Sequence, residues 1–130
     1  MAENLWGDLP LDTEMRTPLV VLREQATVLG EITRQLLIGS VTSTTDPFNQ
    51  FVHTLRIVAP ALDGYEVSIL RVSHPVDLYP LRVDNFMVQP ERRFTCDDEN
   101  EFRRALESIL KSDGVHRLIA ALIAQSKAVA

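Results

Sequence analysis

Residues 51–75 read FVHTLRIVAPALDGYEVSILRVSHP, and their pattern indicates two paired β-strands. Its first nine residues place Phe51, His53, Leu55, Ile57 and Ala59 on one side of an alternation, which is the period of a half-buried β-strand. A proline then ends the strand, an Asp-Gly pair turns the chain, and residues 65–73 predict the next strand. Because the connection is short, the two strands pair as an antiparallel hairpin.

Three further segments extend this hairpin. Residues 41–45 are β-branched or small and precede an Asp-Pro turn, so they predict a strand before residue 51. Residues 76–83 predict a fourth strand, in which Pro80 favours an edge position or a bulge, and residues 93–96 predict a short fifth one. The sequence therefore predicts an antiparallel meander of four to five strands.

Helical patterns flank the strands on both sides. Thr17-Pro18 is a helix-start signal, and the apolar stripe that follows predicts a long N-terminal helix to about Gly39, with Leu22, Ala26, Leu29 and Ile32 facing the sheet. After Cys96, four acids within residues 97–101 indicate a second helix start, and residues 112–114 separate this helix from a last one. We expect an α+β fold with the two C-terminal helices packed on one sheet face, organised as an irregular arm (1–16) and a single domain (17–130).

Length and charge limit the function classes. The 130 residues match one domain, and no apolar run is long enough to cross a membrane. The N-terminus carries acids in place of a signal peptide's basic residues and there is a single cysteine, so we expect a cytoplasmic protein. With a formal net charge of −5 and scattered arginines, the chain lacks the basic face that nucleic acid requires. We expect neither a nucleic-acid nor a membrane partner.

The residues that could carry chemistry are few. His53, His74 and His116 show no metal-ligand spacing, and no phosphate-binding or nucleophile motif occurs, so we expect no metal site and no cofactor. Cys96 lies before a helix start, but the neighbouring acids disfavour the thiolate. We expect Cys96 to be buried and unreactive.

Two apolar segments are interface candidates. The arm contains Leu5, Trp6 and Leu9, which either cover the chain's own core or dock on a partner. The last helix is apolar almost all round and contains Leu118, Ile119, Leu122 and Ile123, which predicts burial on more than one side. These features favour a non-enzymatic protein-interaction module, such as an accessory, adaptor or immunity/antitoxin-like subunit, that forms a homo-oligomer or binds another protein.

The alternative is a small enzyme or ligand-binding protein with a pocket between sheet and helices. The polar residues expected to converge there are His53, Arg56, Tyr65, Arg71 and His74. A concave pocket with these side chains would favour that class, whereas a filled core with an exposed apolar surface would favour the interaction module.

Overall fold

Five antiparallel strands form one sheet in the part of this computed structural model that is described, residues 2–87 and 92–129. The strands follow chain order: β1 (Ile38–Thr45), β2 (Phe51–Ala59), β3 (Tyr65–His74), β4 (Leu81–Asn85) and β5 (Arg93–Cys96). Helix α1 (Pro18–Ile32) precedes them, and α2 (Glu99–Leu110) and α3 (Asp113–Ala128) follow. The predicted α+β fold with an antiparallel meander is confirmed.

The core lies between one face of the sheet and the helices. Helix α1 packs mainly on β1, α2 packs on β4 and β5, and α3 packs on α2 and on the 3₁₀ turn at Pro60–Leu62. The largest fully buried side chains include Leu22, Leu37, Ile69, Leu70 and Phe102. The other face of the sheet, called the open face below, carries the alternate strand residues and no described helix.

The first helix is shorter than the sequence predicts, because it ends at Ile32 instead of continuing to Gly39. Arg34 and Gln35 take positive φ angles of 52° and 67° and reverse the chain. Gly39 lies in β1, where a Cβ atom would overlap the backbone of Ala26. This glycine therefore allows α1 to pack closely on β1 and is not a helix cap.

The face of α1 that meets the sheet also differs in part from the prediction. Leu22 is fully buried, and Ala26 and Leu29 pack partly against the core. Ile32, however, is 73% exposed because the helix ends there and turns away from the sheet. The predicted stripe is thus correct for its first three residues only.

The fourth strand begins later than predicted, at Leu81 instead of Val76. Leu78 has a φ of 80° and its amide donates to the carbonyl of Pro75, so residues 75–78 form a turn. Pro80 has no amide hydrogen for the ladder, and the strand begins directly after it. The strand ends at Asn85, two residues beyond the predicted end at Val83, and residues 88–91 lie outside the described residues.

The C-terminal helices begin where the sequence predicts. Asp98 accepts a hydrogen bond from the amide of Glu101 (2.9 Å) and caps α2, and Ser112 caps α3. The last helix is predicted to be buried on more than one side, in the core or at a subunit interface. Within this chain one side is buried, so burial of a second side stays a prediction about an interface. The fully buried residues of the helix lie on one side, and the positions that face solvent near its middle are Ala120, Ala121 and Ala124.

Candidate interaction site

The N-terminal arm, residues 2–16 as described, contains neither helix nor strand and exposes its apolar side chains. The exposed fractions are 86% for Leu5, 80% for Trp6, 54% for Leu9, 85% for Leu11 and 66% for Met15. None of these residues belongs to the core or packs against it. The arm therefore does not cover the core of its own domain.

Leu11 and Met15 are also exposed, although they are not among the interface residues predicted from the sequence. The signal that could have identified them is their position in the same arm, among the same acids. Exposure itself could not be predicted, because it depends on where the arm runs relative to the helices.

One arginine fixes the point at which the arm leaves the domain. Arg16 forms ion pairs with Glu24 of α1 (2.6 Å) and Glu99 of α2 (3.4 Å), and Arg103 of α2 also contacts Glu24 (3.8 Å). The hydrogen bond from Arg16 lowers the pKa of Glu24 below its usual value. The arm thus starts on the side of α1 that faces α2.

The predicted interface residues of α3 are less accessible than those of the arm. Leu122 is buried, and Leu118, Ile119 and Ile123 are half-buried against the core. Beside Ile119, an apolar cleft of about 170 Å³ separates α3 from α1 above the sheet. The last helix thus exposes three alanines near its middle, and its residues Val115, His116 and Ile119 line the small cleft.

The five predicted pocket residues do not converge. His53 and His74 are buried beside each other on the helix-covered face of the sheet. Arg56 and Arg71 project from the open face, where Arg56 donates to Thr42 (2.6 Å) and Arg71 contacts Asp84 (3.4 Å). Tyr65, at the start of β3, is 56% exposed.

The two buried histidines form a chain of hydrogen bonds that runs from Ser43 to the carbonyl of Pro75. His74 Nδ1 lies 2.7 Å from the carbonyl oxygen of Pro75 and must donate to it. Its Nε2 lies 3.0 Å from His53 Nε2, and His53 Nδ1 lies 2.7 Å from the Ser43 hydroxyl. Every polar ring atom of the two imidazoles therefore has a partner.

Burial favours the neutral form of His53. Desolvation, followed by the charges of His74 and Arg23, lowers the pKa of His53 from 6.5 to about 4. Phe51 stacks on His74 with ring centroids 5.4 Å apart. The pair is thus a satisfied polar part of the core, and Ser43 is the partner that sequence reasoning missed.

Cys96 and the possible metal ligands are the remaining candidates for chemistry. Cys96 is buried, and burial together with Glu101, Asp97 and Asp98 raises the pKa of its thiol to about 11. In residues 2–87 and 92–129, no three histidine, cysteine or acidic side chains are grouped so that they could hold a metal ion. Within the same residues, no helix is both long and apolar enough to cross a membrane.

The fold and the exposed arm define a small α+β protein with an open-faced five-stranded meander. Neither a protein-family model, nor a curated protein, nor a solved structure matches this chain.

Proposed function

We propose that this chain is a protein-interaction module, an accessory, adaptor or immunity/antitoxin-like subunit, and that its N-terminal arm is the docking element. The observation that carries the proposal is the exposure of five large apolar side chains within residues 5–15. Fully burying such a side chain contributes about 1.5–3 kcal/mol, so the arm offers on the order of 10 kcal/mol. This is comparable with the cost of association, estimated at about 4–15 kcal/mol.

The exposed arm and the buried cysteine support two further parts of the proposal, the oligomeric state and the cellular location. A chain that exposes this much apolar surface gains stability and solubility by covering it, so we propose a homodimer or a stable hetero-complex. The single, buried cysteine suits a reducing compartment, which supports the proposed cytoplasmic location. No catalytic role is assigned to any residue.

The alternative, an enzyme or ligand-binding protein, has less support. His53 and His74 satisfy each other inside the core, and Arg56 and Arg71 lie across the sheet from them. The cleft between α1 and α3 holds about 170 Å³, which is smaller than the 300–1,000 Å³ typical of small-molecule sites. A groove between α1 and β1 holds about 490 Å³, but none of the five predicted pocket residues lines it.

Two matched variants test the proposed function. Trp6 in the arm and Phe48 in the β1–β2 turn are large aromatic residues with exposed fractions of 80% and 83%. Tagged wild-type chain, Trp6→Ala and Phe48→Ala are used to capture proteins from the native cell extract, and the bound proteins are quantified by mass spectrometry. We expect Trp6→Ala to lose the partners that wild type and Phe48→Ala retain. Equal recovery by both variants would contradict the arm's role.

A further inference from the structure

The outer edge of β1 presents a row of unpaired backbone groups. The amide of Asp46 donates to the carbonyl of Gln50 (3.0 Å), which fixes the hydrogen-bonding phase of the β1–β2 ladder. Alternate residues of an antiparallel edge strand point their N–H and C=O groups away from the neighbouring strand. In β1 these outward residues are Gly39, Val41, Ser43 and Thr45. Among residues 2–87 and 92–129 their outward groups have no backbone partner.

A groove runs along this edge on the side of the sheet that the helices cover. It holds about 490 Å³ between α1 and β1, and its lining includes the small or apolar residues Ala26, Gly30, Gly39 and Val41, with Arg23 and Glu31 among the charged ones. A strand added beside β1 would point every second side chain toward this groove. The edge therefore provides both a hydrogen-bonding template and space for apolar side chains.

The arm contains a segment with the matching period. Residues 9–15 read LPLDTEM, so Leu9, Leu11 and Met15 occupy odd positions while the acids Asp12 and Glu14 occupy even ones. Suppose that this segment pairs antiparallel with β1 and points its odd-numbered side chains into the groove. The backbone N–H and C=O groups of its odd-numbered residues then bond to β1, and those of its even-numbered residues face away from β1. Pro10, at an even position, then needs no hydrogen-bond donor.

Charge favours the same orientation. The acids at even positions would lie on the open face, where Arg56 of the adjacent strand β2 already reaches across to Thr42 of β1. A parallel addition would turn Pro10 toward β1, where its missing amide would leave a carbonyl unpaired. The pattern therefore selects an antiparallel strand with its acids beside Arg56.

The arm of the same chain cannot supply this strand. Helix α1 folds back on β1 through a five-residue turn, and Ala26 packs on Gly39, so the start of α1 lies near the Thr45 end of β1. An antiparallel arm would place Met15 beside the Gly39 end, while Pro18 begins α1 eight residues before Ala26, roughly 12 Å further along β1. The link from Met15 to Pro18 has three Cα–Cα steps and reaches at most about 11 Å, which is too short to cover that distance and also cross from the sheet edge to the helix layer. The strand must come from another chain.

We propose that Leu9–Met15 of one copy adds to β1 of a second copy as an antiparallel sixth strand. This inference rests on the proposed function, because it identifies a partner of the arm as a second copy of the chain. Reciprocal exchange would cover both arms and both grooves, which brings the contact toward the approximately 800 Å² per partner of a standard interface.

Amide hydrogen exchange, measured residue by residue over a range of protein concentrations, tests the proposal. The amides of Ser40, Thr42 and Thr44 bond to β2 and serve as an internal reference. We expect the amides of Gly39, Val41, Ser43 and Thr45 to become at least about tenfold slower as concentration rises. Protection that is the same at all concentrations, or no protection in a sample whose mass is dimeric, would overturn the proposal.

Two arm variants complete this test. Leu11→Asp should abolish the protection, whereas Leu5→Asp, at a position equally exposed but outside the alternating segment, should retain it. If the two variants behave alike, the sixth strand is not formed by residues 9–15. If the outward amides stay unprotected while Trp6→Ala still loses partners from extract, the strand addition fails and the proposed function stands.

Discussion

Replacing His53 with glutamine should remove a large part of the acid sensitivity of this fold. The folded chain holds His53 neutral, with a pKa of about 4 against 6.5 for an unperturbed histidine. The unfolded chain therefore binds the proton first as the pH falls, so the free energy of unfolding decreases from about pH 6.5 to about pH 4. The full effect of this shift is about 3 kcal/mol, and roughly 1.5 kcal/mol of it should be lost between about pH 7.5 and about pH 5.5.

Urea unfolding of the wild type and variants at those two pH values measures this contribution. Glutamine at position 53 keeps a donor toward His74 and an acceptor toward Ser43 but does not titrate. Between the two pH values the variant should therefore lose roughly 1.5 kcal/mol less of its free energy of unfolding than the wild type. His116, which is exposed on α3, provides the control, and His116→Gln should keep the wild-type pH dependence. If His53→Gln loses as much stability on acidification as wild type, His53 does not set this sensitivity.

Three further predictions concern the core and the thiol. Leu22→Ala should reduce the free energy of unfolding by about 2–5 kcal/mol, because the side chain is fully buried; a loss below about 1 kcal/mol in denaturant melts would contradict the packing of α1 on the sheet. Gly39→Ala should also destabilise, since the new methyl group would overlap the Ala26 backbone, and an unchanged melting temperature would disprove that close contact. A thiol reagent at neutral pH should label Cys96 no faster than free cysteine; rapid labelling would show an accessible thiolate.

The elements that could be predicted from the sequence are those with a local signal. The alternation through residues 51–59, the Thr17 cap and the acids before α2 each act within a few residues, and the structure has these elements where the sequence places them. The sequence does not predict where α1 ends. Gly39 resembles a helix cap in the sequence, but it is a glycine because β1 packs closely on Ala26, and no local pattern reveals this tertiary contact.

For the candidate site, the sequence predicts which residues are apolar or polar but not which of them face solvent or meet each other. The composition of the arm indicated an apolar segment, but whether Trp6 covered the core or faced solvent depended on the path of the chain. The meeting of His53 and His74 depended on strand register, since His53 lies opposite Val72 and only diagonally from His74. The register of β1 with β2 likewise determines which backbone groups of β1 face outward.

Light scattering behind a sizing column, combined with the emission of Trp6, tests most directly whether the arm is a docking element. Trp6 is the single tryptophan of the chain and is 80% exposed, so its emission reports on the arm alone. We predict that the mass rises from 14.6 kDa toward twice that value with increasing concentration, and that the emission shifts to the blue with the same midpoint. A mass that stays at 14.6 kDa, with Trp6 emission already blue-shifted at the lowest concentration, would show that the arm covers its own domain and would contradict the account.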